Sequence, residues 1–155
     1  MNQRPNDGFT LIELMVTLVV FAILMTVAIP SFQQLRESNQ VTSLSNELLT
    51  AIHLARSEAV KRGVVVSVCV DGNNWNEGWQ VGVGTNCATQ QVRVWPAAPG
   101  NLSVVSTGGN NAVQFSPLGA RESGGATFTV GVAGNERQIT VSSGGSVSSC
   151  RDCDE

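Results

Sequence analysis

Gly8-Phe9-Thr10-Leu11-Ile12-Glu13 opens an almost unbroken apolar run that ends at Ile29. The reading of this stretch decides the fold. As an α-helix rising about 1.5 Å per residue it spans roughly 30 Å, the thickness of a bilayer's hydrocarbon core. Glu13 is the one charged residue between Phe9 and Ile29. A carboxylate inside a membrane-length segment is expensive and marks a site with a partner.

Residues 1–8, MNQRPNDG, are polar and come before the apolar run. A secretory signal peptide has the opposite order, with its apolar core ahead of the cut. The helix is therefore expected to stay in the mature protein, as a processed anchor or as an ordinary signal anchor with a glycine before it. Pro30 is expected to bend the helix, because proline lacks an N–H and crowds the preceding turn. Beyond it Val41, Leu44, Leu48, Ile52, Ala55 and Ala59 recur every three or four residues, which makes one apolar stripe. Glu58 and Arg62 can pair one turn apart. Lys61 and Arg62 suit the negative end of the helix dipole, and Gly63 is a C-terminal cap. One helix over about residues 9–62 results.

The remainder reads as seven short strands: 64–70, 78–83, 91–95, 102–105, 112–115, 126–133 and 137–141, the last two a hairpin around Gly134-Asn135. Asp71-Gly72-Asn73-Asn74 is a turn, and Pro96 to Gly100 interrupts the pattern. Strands after a single helix are an α+β pattern, with one sheet covering the stripe. Trp75, Trp79, Trp95, Phe115 and Phe128 are read as core rather than as ligand platforms.

The 155 residues allow one globular domain beyond the helix. A net charge of −3 argues against a surface that coats nucleic acid. The helix orientation puts everything after Pro30 outside the cytoplasmic membrane, where cysteines oxidise. Cys69, Cys87, Cys150 and Cys153 allow three pairings, and sequence does not choose among them. The preferred one joins Cys69 to Cys87 and Cys150 to Cys153, although a simple hairpin would not set Cys69 opposite Cys87. Cys150-Arg151-Asp152-Cys153 also reads as a redox pair or half a zinc site. Redox pairs sit at helix N-termini, however, and this one ends a Ser/Gly-rich tail. His53 is the lone histidine. There is no nucleophile with its base, no phosphate-cradling loop and no metal-ligand cluster, so neither catalysis nor a cofactor is expected.

The stretch GFTLIELMVTLVVFAILMTVAIPSF resembles the class III signal of type IV pilins and type II secretion pseudopilins. That resemblance implies cleavage between Gly8 and Phe9 by a prepilin peptidase and N-methylation of Phe9. It makes Glu13 the fifth residue of the mature chain. A physical argument adds to it: the new amine at Phe9 and a neighbour's Glu13 would neutralise each other in an apolar bundle and fix axial register. Later blocks resemble GspH/FimT-type minor pilins. They are Leu54-Ala55-Arg56-Ser57-Glu58-Ala59-Val60-Lys61-Arg62-Gly63, Cys69, Trp75, Gly78-Trp79, Phe115-Ser116-Pro117-Leu118-Gly119 and Arg137-Gln138-Ile139-Thr140-Val141-Ser142. The family implies a pilin-like fold, a long N-terminal helix packed against an antiparallel β-rich head.

The division expected from this is a leader at 1–8, a transmembrane and filament-core helix at 9–29, an amphipathic helix at 30–63 and a head at 64–155, with 30–155 one globular domain. The implied role is a low-abundance subunit that primes pilus assembly at the filament tip. Implied partners are major and minor pilins, the prepilin peptidase, the inner-membrane assembly platform and inner-membrane lipid. The implied location is the bacterial inner membrane, single-pass with a periplasmic head, and then the surface filament. A type II secretion minor pseudopilin is one alternative. A DNA-binding minor pilin for natural transformation is the other. Family members that bind DNA carry a Gly-Arg-x-Arg segment near the C-terminus, and the matching place here reads Gly144-Gly145-Ser146-Val147. Arg121, Arg137 and Arg151 remain as candidate DNA contacts, and DNA is the less favoured partner.

Overall fold

The computed structural model describes residues 9–107, 111–124 and 127–151. Helix α1 covers Leu11–Arg62 and continues through Pro30. It stops where Gly63 takes φ +67° and its N–H donates to the Ala59 carbonyl at 3.0 Å. That is a left-handed cap, a conformation glycine adopts without steric cost. The chain divides into two compact units that part between Glu37 and Ser38. Among the described residues the first is Phe9, Thr10 and the start of α1. Its apolar side chains, from Phe9 and Leu11 to Phe32 and Leu35, are exposed.

The second unit is the head. The last part of α1 is followed by β1 Val66–Val70, a 3-10 turn at Trp75–Glu77, β2 Trp79–Val83, β3 Gln90–Trp95, β4 Ser103–Thr107, β5 Ala112–Phe115, β6 Arg121–Gly124, β7 Thr127–Val132, β8 Asn135–Val141 and β9 Val147–Arg151. They form two antiparallel sheets, in the orders β3-β2-β1-β5-β6 and β4-β7-β8-β9. The structure therefore corrects the expected single sheet of seven strands. Pro96 and Pro99 lie just past β3, and proline has no N–H to continue a ladder. The chain leaves the first sheet there, and β4 starts the second. The two strands that the sequence pattern did not show, β6 and β9, are polar edge strands. They form because β5 and β8 offer unpaired backbone.

The stripe Val41, Leu44, Leu48, Ile52, Ala55 and Ala59 is wholly buried and shares one core with both sheets. Trp79 and Phe115 come from the first sheet, Phe128 and Ile139 from the second. Trp75 meets Phe128 edge-on, with ring centroids 4.9 Å apart, a favourable quadrupole arrangement. Asn76 pins the sheets together. Its Oδ1 accepts from the Val104 N–H at 2.6 Å, and its carbonyl accepts from the Ala98 N–H at 2.9 Å. The buried Ser45 hydroxyl is satisfied within the helix by the Val41 carbonyl at 2.7 Å.

Candidate assembly site

At the amino end, Thr10 is the residue before the first helical position. Its Oγ1 accepts the Glu13 N–H at 3.3 Å, and its carbonyl accepts the Leu14 N–H at 3.2 Å. Thr10-x-x-Glu13 therefore has the spacing of a capping box. It sets the carboxylate in the first turn, where the helix dipole favours negative charge. Farther along, Thr17 donates to the Leu14 carbonyl, Thr26 to Ile23 and Ser31 to Val27. Every hydroxyl between Leu14 and Ser31 is thus satisfied inside its own helix, which a segment in hydrocarbon requires. Around Glu13 stand exposed Phe9, Ile12 and Val16. Chemically this is a greasy rod carrying one carboxyl group, Glu13, with no ion-pair partner among the described residues.

On the head, Cys69 and Cys87 are joined by a disulfide. The hairpin register sets Cys69 against Gln80, as antiparallel pairing of β1 and β2 demands. The loop after β2 then folds back over the outer face of the sheet. Its Gly84 N–H donates to the Val65 carbonyl at 2.8 Å, and the Ser67 hydroxyl donates to the Gly84 carbonyl at 2.6 Å. Cys87, at φ +55°, is delivered above Gly82. A Cβ on Gly82 would lie 2.7 Å from that of Cys87. Glycine at that position makes the crossing feasible, a relation that hairpin spacing alone could not reveal. Cys150 lies on β9; the expected partner, Cys153, and the leader residue Gly8 fall outside the described residues.

Two charged side chains of the stripe-flanking helix surface organise the head's loops. Arg56 donates from Nε to the Gly119 carbonyl at 3.0 Å and from an Nη to the Gly144 carbonyl at 3.4 Å. Gly119 belongs to the turn after β5, and Gly144 to the turn between β8 and β9. The two turns also touch directly, with the Arg121 N–H on the Ser143 carbonyl at 3.0 Å. Arg62 hydrogen-bonds Glu58 and, at 2.8 Å, the Gln90 amide oxygen at the start of β3. The Arg62–Glu58 hydrogen bond, aided by the charges of Arg62 and Lys61, holds the Glu58 carboxyl below its usual range.

Of the three arginines singled out for DNA, Arg121 begins β6 in the first sheet. Arg137 and Arg151 lie in the second, directly opposite each other across β8 and β9. The place of the family's Gly-Arg-x-Arg segment is a tight glycine turn gripped by Arg56. His53 is exposed on the helix. Sequence reasoning missed Thr10 as a cap and Arg56 as a clamp. The first was signalled by its capping-box spacing; the second had no local signal, since its acceptors lie 63 and 88 residues away.

Comparison with known proteins agrees with this architecture. Residues 44–145 match the type II transport protein GspH family, and residues 3–29 match the prokaryotic N-terminal methylation motif. Two fimbrial proteins of Pseudomonas aeruginosa are each 29% identical over 112 residues, 70% of this chain and 72% of theirs. The type IV minor pilin FimU of Pseudomonas aeruginosa has a similar fold in two crystal forms. The TM-scores are 0.63 and 0.59 at 21% identity, covering 74% and 71% of this chain and 91% and 92% of FimU. The GspH match covers well over half of the chain, and with the methylation motif and the pilin fold it leads to one conclusion: the chain belongs to the GspH family of type IV pilin-like proteins, as a minor pilin- or pseudopilin-type structural subunit and not an enzyme.

Proposed function

We propose that this subunit is a minor type IV pilin that primes filament assembly at or near the tip. In this reading a prepilin peptidase cuts between Gly8 and Phe9, and Phe9 is N-methylated. Residues 9–29 hold the processed chain in the inner membrane with the head on the periplasmic side, and the amphipathic 30–63 segment links them. Glu13 then pairs with the amino terminus of a neighbouring pilin as helices bundle.

The observation that carries this is the exposed apolar rod with its one carboxylate. An 18-residue window of α1 has mean hydropathy 2.6 and none of it is buried within the molecule. Phe9 is 80% and Leu24 62% exposed. Burying such side chains is worth about 1.5–3 kcal/mol each, so the rod must be covered, first by lipid and then by other helices. A charge on that surface is tolerated only where a partner meets it. The likeness to fimbrial proteins and to a minor pilin supports a pilus. The GspH match supports the alternative, a type II secretion pseudopilus.

A Glu13→Ala variant tests the role. It is expected to be processed and membrane-bound yet poorly incorporated into filaments. Normal filament number with normal incorporation would refute the pairing. Gly8→Val is expected to leave the leader attached, seen as a heavier band.

A further inference from the structure

We infer that Phe32 and Leu35 seat at the periplasmic boundary of the bilayer's hydrocarbon, and that this seating holds Glu13 at the cytoplasmic boundary while the subunit is stored; this rests on the reading that the apolar rod crosses the membrane. The apolar run ends at Ile29, yet the apolar surface does not. Phe21, Met25, Ala28, Phe32 and Leu35 follow one another at alternating steps of four and three, which puts them on one stripe of α1. All five belong to the first compact unit and to one unbroken helix. Phe32 is 65% and Leu35 56% exposed. Gln33, Gln34 and Glu37 are turned away from that stripe, and Arg36 stands one turn beyond Phe32. The short stretch from Ser31 to Glu37 is therefore amphipathic. In a helix at a membrane surface, phenylalanine and leucine enter the acyl edge while a cation stays among the headgroups.

Length decides where the rod sits. Hydrocarbon about 30 Å thick takes about 20 residues of helix. Counted back from Ile29, that length reaches Phe9 and leaves Glu13 about 6 Å inside the hydrocarbon. Counted back from Phe32, it reaches Ile12, and Glu13 stands beside the boundary. The exchange of apolar side chains between the two seatings is even: Phe32 and Leu35 enter as Phe9 and Leu11 leave. The charges therefore choose. The second seating moves both the Glu13 carboxylate and the amine freed at Phe9 to the headgroups, where water and lipid solvate them. Without Phe32 and Leu35 the same move would give up two large apolar side chains for nothing. Side-chain direction acts the same way. Helical side chains lean toward the N-terminus, so Phe32 leans back into the acyl region and Glu13 leans out of it. A stored subunit then needs no protein partner for Glu13. Extraction drags the carboxylate into hydrocarbon, and only a neighbour's amine relieves the cost, so release into a filament is favoured over release alone.

The test places fluorophenylalanine throughout the full processed chain and inserts it into phosphatidylcholine nanodiscs. Fluorine NMR then reads the depth of Phe9, Phe21 and Phe32, while Phe115 and Phe128, buried in the head, report that the head stays folded. Line broadening is compared between a nitroxide on a lipid acyl chain near the headgroup and a gadolinium chelate in water. In the wild type the lipid nitroxide is expected to broaden Phe32 more than the chelate does, and the chelate to broaden Phe9 more than the nitroxide does. F32S/L35S should sink by three residues, about 4.5 Å, so that Phe9 comes to be broadened chiefly by the lipid nitroxide. F32W should keep Phe9 where the wild type has it. The opposite pattern in the wild type, with Phe9 in lipid and Phe32 in water, overturns the inference. So does a Phe9 that stays put in F32S/L35S. If that variant keeps its depth but enters filaments poorly, the stripe is covered by another pilin and not by the bilayer edge. Failure of the wild type to co-elute with the discs would overturn the membrane reading itself, a result distinct from all of these.

Discussion

Removing Arg56 is expected to loosen the head as a whole, because this one side chain ties two distant turns to the helix. Its Nε reaches the Gly119 carbonyl at 3.0 Å in a half-buried setting, and its Nη reaches Gly144 at 3.4 Å in an exposed one. A hydrogen bond from a charged donor is worth about 1.5–3 kcal/mol, and the longer, wetter bond adds on the order of 0.5 kcal/mol. Against this, freeing an arginine side chain returns up to about 2 kcal/mol of rotamer entropy, only part of which was lost in so exposed a site. The net cost of Arg56→Ala is therefore about 2 kcal/mol. Every buried residue among those described lies at or beyond Val41, so a head fragment starting at Ser38 carries that core. With a urea slope of about 2 kcal/mol/M, its midpoint should fall by about 1 M. Arg56→Lys should recover less than half, since a single ammonium cannot fork to two carbonyls. If both variants unfold within about 0.5 kcal/mol of the wild type, the clamp contributes nothing and the reasoning fails.

The glycines beneath the clamp give a second comparison. A Cβ on Gly145, at φ +79°, would sit 2.0 Å from the Gly119 carbonyl oxygen, whereas one on Gly134, at φ +85°, meets nothing within 4 Å. Gly134→Ala should cost only the left-handed strain, about 1–2 kcal/mol, and Gly145→Ala clearly more, read as melting temperatures. Reducing the Cys69–Cys87 bond, which closes a separation of 18 residues, should cost about 3 kcal/mol. Gly82→Ala should slow its formation, measured by free-thiol titration. Glu58 gives a pH signature. Its carboxyl is held below the usual range in the folded head, so its contribution is present above the unfolded pKa and fades as pH falls through the folded value. The stability difference between wild type and Glu58→Gln, followed by urea midpoints, should vanish in acid and persist at neutral pH.

The helix was legible because burial imposes a period on it. Val41 through Ala59 show a 3.6-residue repeat, and all of them are in the core. Central strands were legible for the same reason: β1 alternates valines with Ser67 and Cys69, the valines buried by the core and the other face covered by the Cys87 loop. Edge strands are not subject to that demand. Arg121-Glu122-Ser123-Gly124 and Val147-Ser148-Ser149-Cys150-Arg151 are set by their neighbours' hydrogen bonds, and their side chains carry no alternation. The division into two sheets was hidden as well, since it depends on where β4 finds β7. At the amino end, Glu13 could be read because an anion in an apolar run is conspicuous. The arginine pair could not, because 14 residues separate Arg137 from Arg151 along the chain and only register brings them together.

Intact mass spectrometry of the subunit taken from native filaments tests the central claim most directly. The account predicts a chain that begins at Phe9, carries one added methyl group on its amino terminus and retains the whole apolar helix. A chain still bearing residues 1–8, or one cut beyond Ile29 and recovered free of membrane and filament, would contradict it.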